Sequence, residues 1–94
     1  MKRRPRGAPQ LHEAAWLHFP GVYPGPVSLL RLEKAAGSGG WEVILDRDLR
    51  LGTQERGRFA TEAAARNRIE QIYAGTAEGG EWRVRRYQPH PPAR

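Results

Sequence analysis

The side chains that could carry out catalysis are few, and their spacing is unfavourable. His12 and His18 are six residues apart, which on a helix puts them about 120° from each other, so they do not share a face that could hold a metal ion. Asp46 and Asp48 lie where a hairpin turn is expected, and aspartate there is typical of turn chemistry. No serine or threonine has histidine and carboxylate partners at the spacing of a nucleophilic site. We therefore predict no catalytic residue, no metal site and no cofactor, in a protein that is not an enzyme.

Residues suited to binding are more numerous, and the clearest group lies on a predicted last strand over 81–87. Arg83, Arg85 and Tyr87 share one face of that strand, and Trp82, Val84 and Arg86 share the other. Two guanidinium groups and a ring at this spacing can contact phosphates and bases. The competing interpretation is an edge strand that charge protects against aggregation. The other residues predicted to contact nucleic acid lie at the basic N terminus and beside turns: Lys2, Arg3, Arg4, Arg6, Arg50 and Arg58.

A second candidate surface is aromatic. Trp16, Phe19 and Tyr23 lie near one another in a segment over 11–26 that is rich in proline and glycine. Rings in such a segment either pack as a lid over the domain core or stay exposed as anchors for a partner. We assign these three residues as the candidate protein-binding site.

The element that must position these surfaces is a helix predicted over 62–74. Thr61 can cap its free amides, Glu62 suits the positive end of the helix dipole, and Gly75 stands where a left-handed residue would end the helix. The side chains predicted to pack on a sheet fall within one arc of the helical wheel: Ala65, Ile69, Ile72 and Tyr73.

Alternation of apolar and polar residues predicts the sheet. A strand over 27–34 and a second beginning at Trp41 are joined by a glycine-rich loop over 35–40. In the first strand, Leu30 and Leu32 face one way, and the other way face Leu29, Arg31 and Glu33. The rest of the predicted sheet before the helix comprises an extended stretch over 49–51, a polar loop or wide bulge over 52–57 and a closing strand over 58–60. The predicted fold class is α+β, a small antiparallel sheet of three to five strands with one main helix packed on one face.

The two ends of the chain lie outside this core. Residues 11–19 fit two turns of a short N-terminal helix that Pro20 ends. The predicted organisation is a disordered basic arm over 1–10, an aromatic and proline-rich lead-in over 11–26, a single α+β domain over 27–87 and a proline-rich tail over 88–94.

Composition narrows the class of protein. The chain has no cysteine, which excludes a disulfide framework and fits a reducing compartment. No apolar run approaches the roughly 18 residues that a membrane span needs, and the basic start is not followed by a hydrophobic signal core. These features predict a cytoplasmic protein that does not contact membranes, with monomer and dimer both open.

The net charge of +6 is concentrated at the two ends, whereas the stretch over 11–80 is nearly neutral. Nearly all of the positive residues are arginine, which grips phosphate bidentately and stacks on bases. A GC-rich genome would produce the same excess, so composition leaves open whether the arginines serve a function.

Three stretches of the chain resemble a WGR domain: LRLEKAAGSGGWEVIL, RLGT and GRFATEAAA. They are similar to that family's strand with an aromatic-Glu pair, its Arg-Ile-Gly-Thr turn, and its phenylalanine before an alanine-rich helix. The same order of elements is similar to the three-strand-plus-helix DNA-binding domains of plant ethylene-response factors and of tyrosine-recombinase arm-binding domains. In those domains the sheet faces DNA, so the resemblance implies DNA contact, with Arg50, Arg58 and Trp41 as the nearest equivalents.

These observations predict a small, basic, non-enzymatic protein that binds nucleic acid, DNA in preference to RNA, in an accessory or regulatory role. The alternative is a protein-interaction module that docks on and regulates a larger enzyme or a ribonucleoprotein. In that case the contacts would come from the three aromatic residues of the lead-in or from an open strand edge.

Overall fold

The computed structural model describes residues 9–37 and 39–87. Within these residues the elements are β1 (Gln10–His18), β2 (Ser28–Lys34), β3 (Trp41–Asp48), β4 (Thr53–Phe59), α1 (Glu62–Ala74) and β5 (Glu81–Arg86). The strands form one antiparallel sheet in the order β4-β3-β2-β1-β5, and α1 packs on one face of it. The fold is thus the small α+β fold predicted from sequence. The predicted tail over 88–94 and most of the predicted arm over 1–10 lie outside the described residues.

The prediction of a short N-terminal helix is wrong, because Gln10–His18 is strand β1. It pairs with β2 on one side and β5 on the other, so its backbone groups are satisfied within the sheet. Ala14 and Ala15 point to opposite faces of the sheet, yet both are buried. A strand that is buried on both faces lacks the usual alternation of apolar and polar residues, and this stretch of leucine, alanine and glutamate therefore resembled a helix.

β3 and β4 form a longer hairpin than the sequence predicts. β3 runs to Asp48, and the turn that follows ends at Gly52, whose φ of 72° lies in the left-handed region that favours glycine. Thr53–Phe59 is a regular strand where a loop or bulge was expected. Most of this edge strand is exposed, and only Gly57 and Phe59 are partly buried, so it carries no apolar alternation that would reveal it.

Helix α1 has the predicted bounds and start. The Thr61 hydroxyl accepts a hydrogen bond from the Ala64 backbone N–H at 3.1 Å. The end differs from the prediction, because Gly75 has a φ of −88° and is not left-handed. Its N–H instead donates to the Gln71 and Ile72 carbonyls at 3.1 and 3.2 Å, an arrangement open to other residue types. Within the described ranges, no helix is long and apolar enough to cross a membrane.

The core lies between α1 and one face of the sheet, here called the helix face. Leu30 and Leu32 share one face as predicted, and it is this one, against which Ala65 and Ile69 of α1 are buried. Ile72 and Tyr73 of the predicted arc are partly buried and pack against the same core. The remaining core residues come from the strands: Ala15, Trp41, Val43 and Leu45, with Phe59 and Trp82 partly buried at the margin.

Candidate nucleic-acid interface

The face of the sheet opposite α1, here called the open face, has no helix or strand of the described residues packed on it. Residues directly paired in an antiparallel sheet share a face, so the register identifies its side chains. Arg31 on β2 pairs with Ala14 on β1 and Ile44 on β3, which in turn pair with Arg85 on β5 and Arg56 on β4. Arg85, Arg31 and Arg56 therefore stand in one line across the sheet, called the arginine row below.

The arginine row spans the full width of the sheet. Adjacent strands lie about 4.8 Å apart, so neighbouring arginines of the row are about 10 Å apart and the outer two about 19 Å, measured between Cα atoms. Ala14 and Ile44 lie between them and are only 2% and 1% exposed. Because no element covers this face within the described ranges, the long neighbouring side chains must cover these two residues. The result is a layer of guanidinium groups above an apolar floor.

Most arginines on the open face have carboxylate partners beside them. Arg56 and Arg58 each donate to a different oxygen of Glu42, at 3.1 and 3.0 Å. Arg31 pairs with Glu33 at 2.8 Å and Arg83 with Glu81 at 2.9 Å. The Arg83–Glu81 pair is exposed on both sides and contributes roughly 0 to 1 kcal/mol, so a phosphate can compete for Arg83. Glu33 and Glu42 are only 13% and 14% exposed, so their arginines stay paired, and a phosphate must bind the guanidinium N–H groups that these pairs leave free.

Arg85 differs from its neighbours, because it has no carboxylate within ion-pair distance among the residues described. Its guanidinium carbon lies 5.3 Å from the centre of the Tyr87 ring, a cation–π contact. Arg83 is two residues earlier on the same face of β5, as the sequence predicts. These three side chains form a basic and aromatic corner of the sheet.

Two other sequence-predicted residues join this face. Arg58 on β4 lies at the opposite edge of the sheet from Arg83, on the same open face. Trp16 on β1 pairs directly with Arg83 and Leu29, so it also lies on the open face, where it is partly buried. The structure thus separates Trp16 from the aromatic residues with which the sequence grouped it.

The remaining predicted contacts are not on the open face. Arg50 is in the turn after β3, where its backbone N–H donates to the Asp48 carboxylate at 2.9 Å. Trp41, an equivalent of a DNA-contacting residue by resemblance, is 8% exposed and lies in the core, so it is not available to a ligand. The basic residues of the predicted arm lie outside the described residues: Lys2, Arg3, Arg4 and Arg6.

Phe19 and Tyr23 line a cavity of about 630 Å³ at one end of the sheet. Their rings meet edge to face with centres 6.2 Å apart. The cavity is bounded on its other side by Leu49 and Arg50, and Val22 and Tyr23 beside it are 68% and 54% exposed. This is a second surface, distinct from the open face.

In the turn at the end of β3, the Asp48 carboxylate accepts a hydrogen bond from a nearby backbone amide, as its sequence predicts. The Arg50 backbone N–H holds the pKa of the Asp48 carboxyl below its usual range. On β4, the hydrogen bond from Arg47 likewise lowers the pKa of Glu55. Among the residues that the structure describes, no three histidine or acidic side chains are grouped to hold a metal ion. Asp48 thus stabilises the turn, whereas Asp46 lies within β3, before the turn begins.

A buried acid that the sequence analysis did not single out positions β5. Glu13 on β1 is 4% exposed on the helix face, and its Oε1 accepts from Arg66 of α1 at 3.0 Å and from Arg86 of β5 at 3.2 Å. Burial, together with the charge of Glu13, raises the pKa of Tyr73 on α1 to about 12. The cluster ties three elements together and so fixes the strand that carries Arg83 and Arg85.

Arg31 and Arg56, which pair with Ile44 from its two sides, were also not singled out by the sequence analysis. Aligning Leu30 and Leu32 with Leu45 and Val43, which the apolar pattern permits, would have placed Arg31 opposite Ile44.

No family model, curated protein or solved structure matches this chain.

Proposed function

We propose that this protein binds nucleic acid on the open face of its sheet, in an accessory or regulatory role and without catalysing a reaction. The arginine row is the observation that supports this function. It presents three guanidinium groups across an uncovered face, with Arg58 and Arg83 beside it. Guanidinium groups bind phosphate oxygens bidentately, and a row of them can follow a phosphate backbone.

The charge of the face sets the expected strength of binding. Five arginines stand there with four acids: Arg31, Arg56, Arg58, Arg83 and Arg85 with Glu33, Glu42, Asp46 and Glu81. This near balance favours a modest affinity, because the neighbouring carboxylates compete for the guanidinium groups and repel phosphate. Affinity should still fall as the salt concentration rises, since each phosphate contact releases counterions. In this proposal, the basic residues of the N-terminal arm add attraction that is independent of sequence.

The test compares the two exposed ends of the arginine row with arginines elsewhere. Arg56→Gln/Arg85→Gln removes two charges from the open face, and Arg47→Gln/Arg68→Gln removes two charges away from it. Binding of a labelled oligonucleotide is measured by fluorescence anisotropy over a range of salt concentrations. For a single strand, each lost phosphate contact should reduce the slope of log affinity against log salt by about 0.7.

The open-face variant should therefore lose affinity and about 1.4 of salt slope for a single strand, while the control variant keeps both close to wild type. Equal losses in the two variants would mean that overall charge, rather than this face, attracts the ligand. Wild-type protein that binds no nucleic acid even at low salt would overturn the proposal.

The cavity beside Phe19 and Tyr23 supports a second candidate function, the docking of a protein partner. Its exposed apolar rim is the specific observation in favour, because aromatic side chains in a concave site are typical anchors. Tyr23→Ser should abolish capture of a specific partner, whereas Leu51→Ser, which changes an exposed residue outside the cavity, should not. Equal capture by both variants would rule out the cavity as the docking site.

A further inference from the structure

We infer that the nucleic acid bound by the open face is a single strand and not a duplex, an inference that rests on the function proposed above. The first reason is the width of the sheet. From β4 to β5 the strands span about 19 Å before side chains are added. The major groove of B-DNA is about 12 Å wide and admits a helix or a two-stranded ribbon. The open face as a whole therefore cannot enter the groove to reach base edges.

Insertion of one hairpin into the groove would not use the arginine row. The row runs across the strands, so only a ligand that lies across the sheet contacts all three of its arginines.

The second reason is the position of the aromatic side chains. Trp16 pairs with Arg83 on the open face, and the Tyr87 ring lies against Arg85. Both rings are thus on the β1–β5 edge of the open face, one on each side of Arg85 along the strands, beside arginines that can hold phosphates. Unpaired bases stack on aromatic rings with about 1 to 3 kcal/mol per base, whereas the bases of a duplex are already stacked on one another. Only a single strand can stack its bases on these two rings while its phosphates contact the neighbouring arginines.

The geometry gives the ligand a defined arrangement. Its bases would stack on Trp16 and Tyr87 along the β1–β5 edge, and its backbone would extend toward Arg31 and Arg56 along the arginine row. A flexible chain can follow this path because each phosphate is free to rotate toward a guanidinium group. DNA and RNA single strands both meet this description, since both offer unpaired bases and phosphates.

The experiment uses one labelled oligonucleotide of mixed sequence, alone and annealed to its complement, with the full-length protein. Wild-type protein should bind the single strand more tightly than the duplex. Tyr87→Leu, a change just after the end of β5, should weaken binding of the single strand by roughly 5- to 100-fold and leave the weak duplex binding unchanged. Arg56→Gln/Arg85→Gln should weaken binding of both forms.

Tryptophan fluorescence gives a second readout that does not depend on a destabilising substitution. Trp41 and Trp82 lie on the helix face, so stacking of a base should quench Trp16 alone. Addition of the single strand should quench wild-type fluorescence, and Trp16→Phe should remove that quenching. The Trp16→Phe protein should unfold within a few degrees of the wild-type temperature. Quenching that persists in Trp16→Phe would contradict the assignment of Trp16.

The outcomes separate the two proposals. Equal or tighter binding of the duplex would overturn the single-strand inference and leave the proposed function standing. Failure to bind either form at low salt would overturn both.

Discussion

The substitution Glu13→Gln isolates the charge of the buried cluster that joins the first strand, the helix and the last strand. Glu13 Oε1 accepts hydrogen bonds from Arg66 and Arg86 at 3.0 and 3.2 Å. Glutamine has nearly the same shape and can accept the same two bonds through its own Oε1. The change therefore removes the negative charge and leaves the packing around β1 in place.

The expected loss of stability follows from the strength of the two bonds. Both bonds keep a charged arginine donor in the variant, so only the attraction between each guanidinium and the carboxylate is lost, about 1 kcal/mol per pair at the upper end of the range for partly exposed pairs. Two considerations reduce the total of about 2. The Arg86 side chain is 75% exposed, which weakens its share through solvent screening, and a neutral amide costs less to bury than a carboxylate. We expect Glu13→Gln to lower the free energy of unfolding by about 1 kcal/mol.

Urea unfolding followed by circular dichroism measures this difference. Glu70→Gln is the control, because Glu70 lies on the exposed side of α1 and has no ion pair among the residues that the structure describes. A surface substitution of this kind changes the free energy of unfolding by less than about 0.5 kcal/mol, so the control should lose clearly less stability than Glu13→Gln. Amide exchange should also quicken along β5, since Arg86 loses its charged acceptor. Equal losses in the two variants, or a more stable Glu13→Gln protein, would refute the reasoning.

Two further predictions concern Tyr73 and Gly80. The Tyr73 hydroxyl is buried without a hydrogen-bond partner among the described residues, and burial raises its pKa from 10.0 to about 12. Because the folded state favours the protonated hydroxyl, its contribution to stability is full below pH 10.0 and falls as the pH rises toward 12. Tyr73→Phe should remove this part of the alkaline loss in a pH series of urea midpoints, and an unchanged loss would contradict the assignment. Gly80→Ala should cost about 1 to 3 kcal/mol in thermal unfolding, because a Cβ there would lie 2.6 Å from Thr76 Cγ2 and 3.1 Å from Leu17 Cδ1. Gly25→Ala, with nothing within 4 Å, should stay within about 0.5 kcal/mol of wild type, and equal stability of the two variants would refute the crowding argument.

The elements whose signals are local could be predicted from sequence. Helix α1 has its capping threonine and an apolar arc, and both features act within a few residues of one another. β2 and the first part of β3 alternate clearly because one of their faces meets the core. In these places the local pattern and the final environment agree, so the sequence alone was sufficient.

β1 and β4 could not be predicted in the same way, for opposite reasons. β1 is buried on both faces between two neighbours, so Ala14 and Ala15 are both shielded and no alternation remains. β4 lies at an edge and is mostly exposed, so apart from Phe59 it lacks apolar residues. The environment of each strand depends on its position in the sheet, which distant parts of the chain determine.

The candidate site likewise has one part that the local sequence pattern predicts and one part that it does not. Alternation within β5 was enough to place Arg83 and Arg85 on one face. The arginine row required the complete strand order, because β5 pairs with β1 and not with β4, the strand that precedes it. Only this order brings Arg85 into line with Arg31 and Arg56.

The pairing of β5 with β1 also determines when the protein can finish folding during its synthesis. A chain leaving the ribosome can form β1 to β4 and α1 in sequence, but β1 lacks its second neighbour until Arg86 has emerged, 73 residues after Glu13. Until then, the backbone groups along one side of β1 can pair with a strand of another nascent chain. The arrival of β5 closes this opportunity for self-association. The same strand that completes the open face thus also protects the newly made chain.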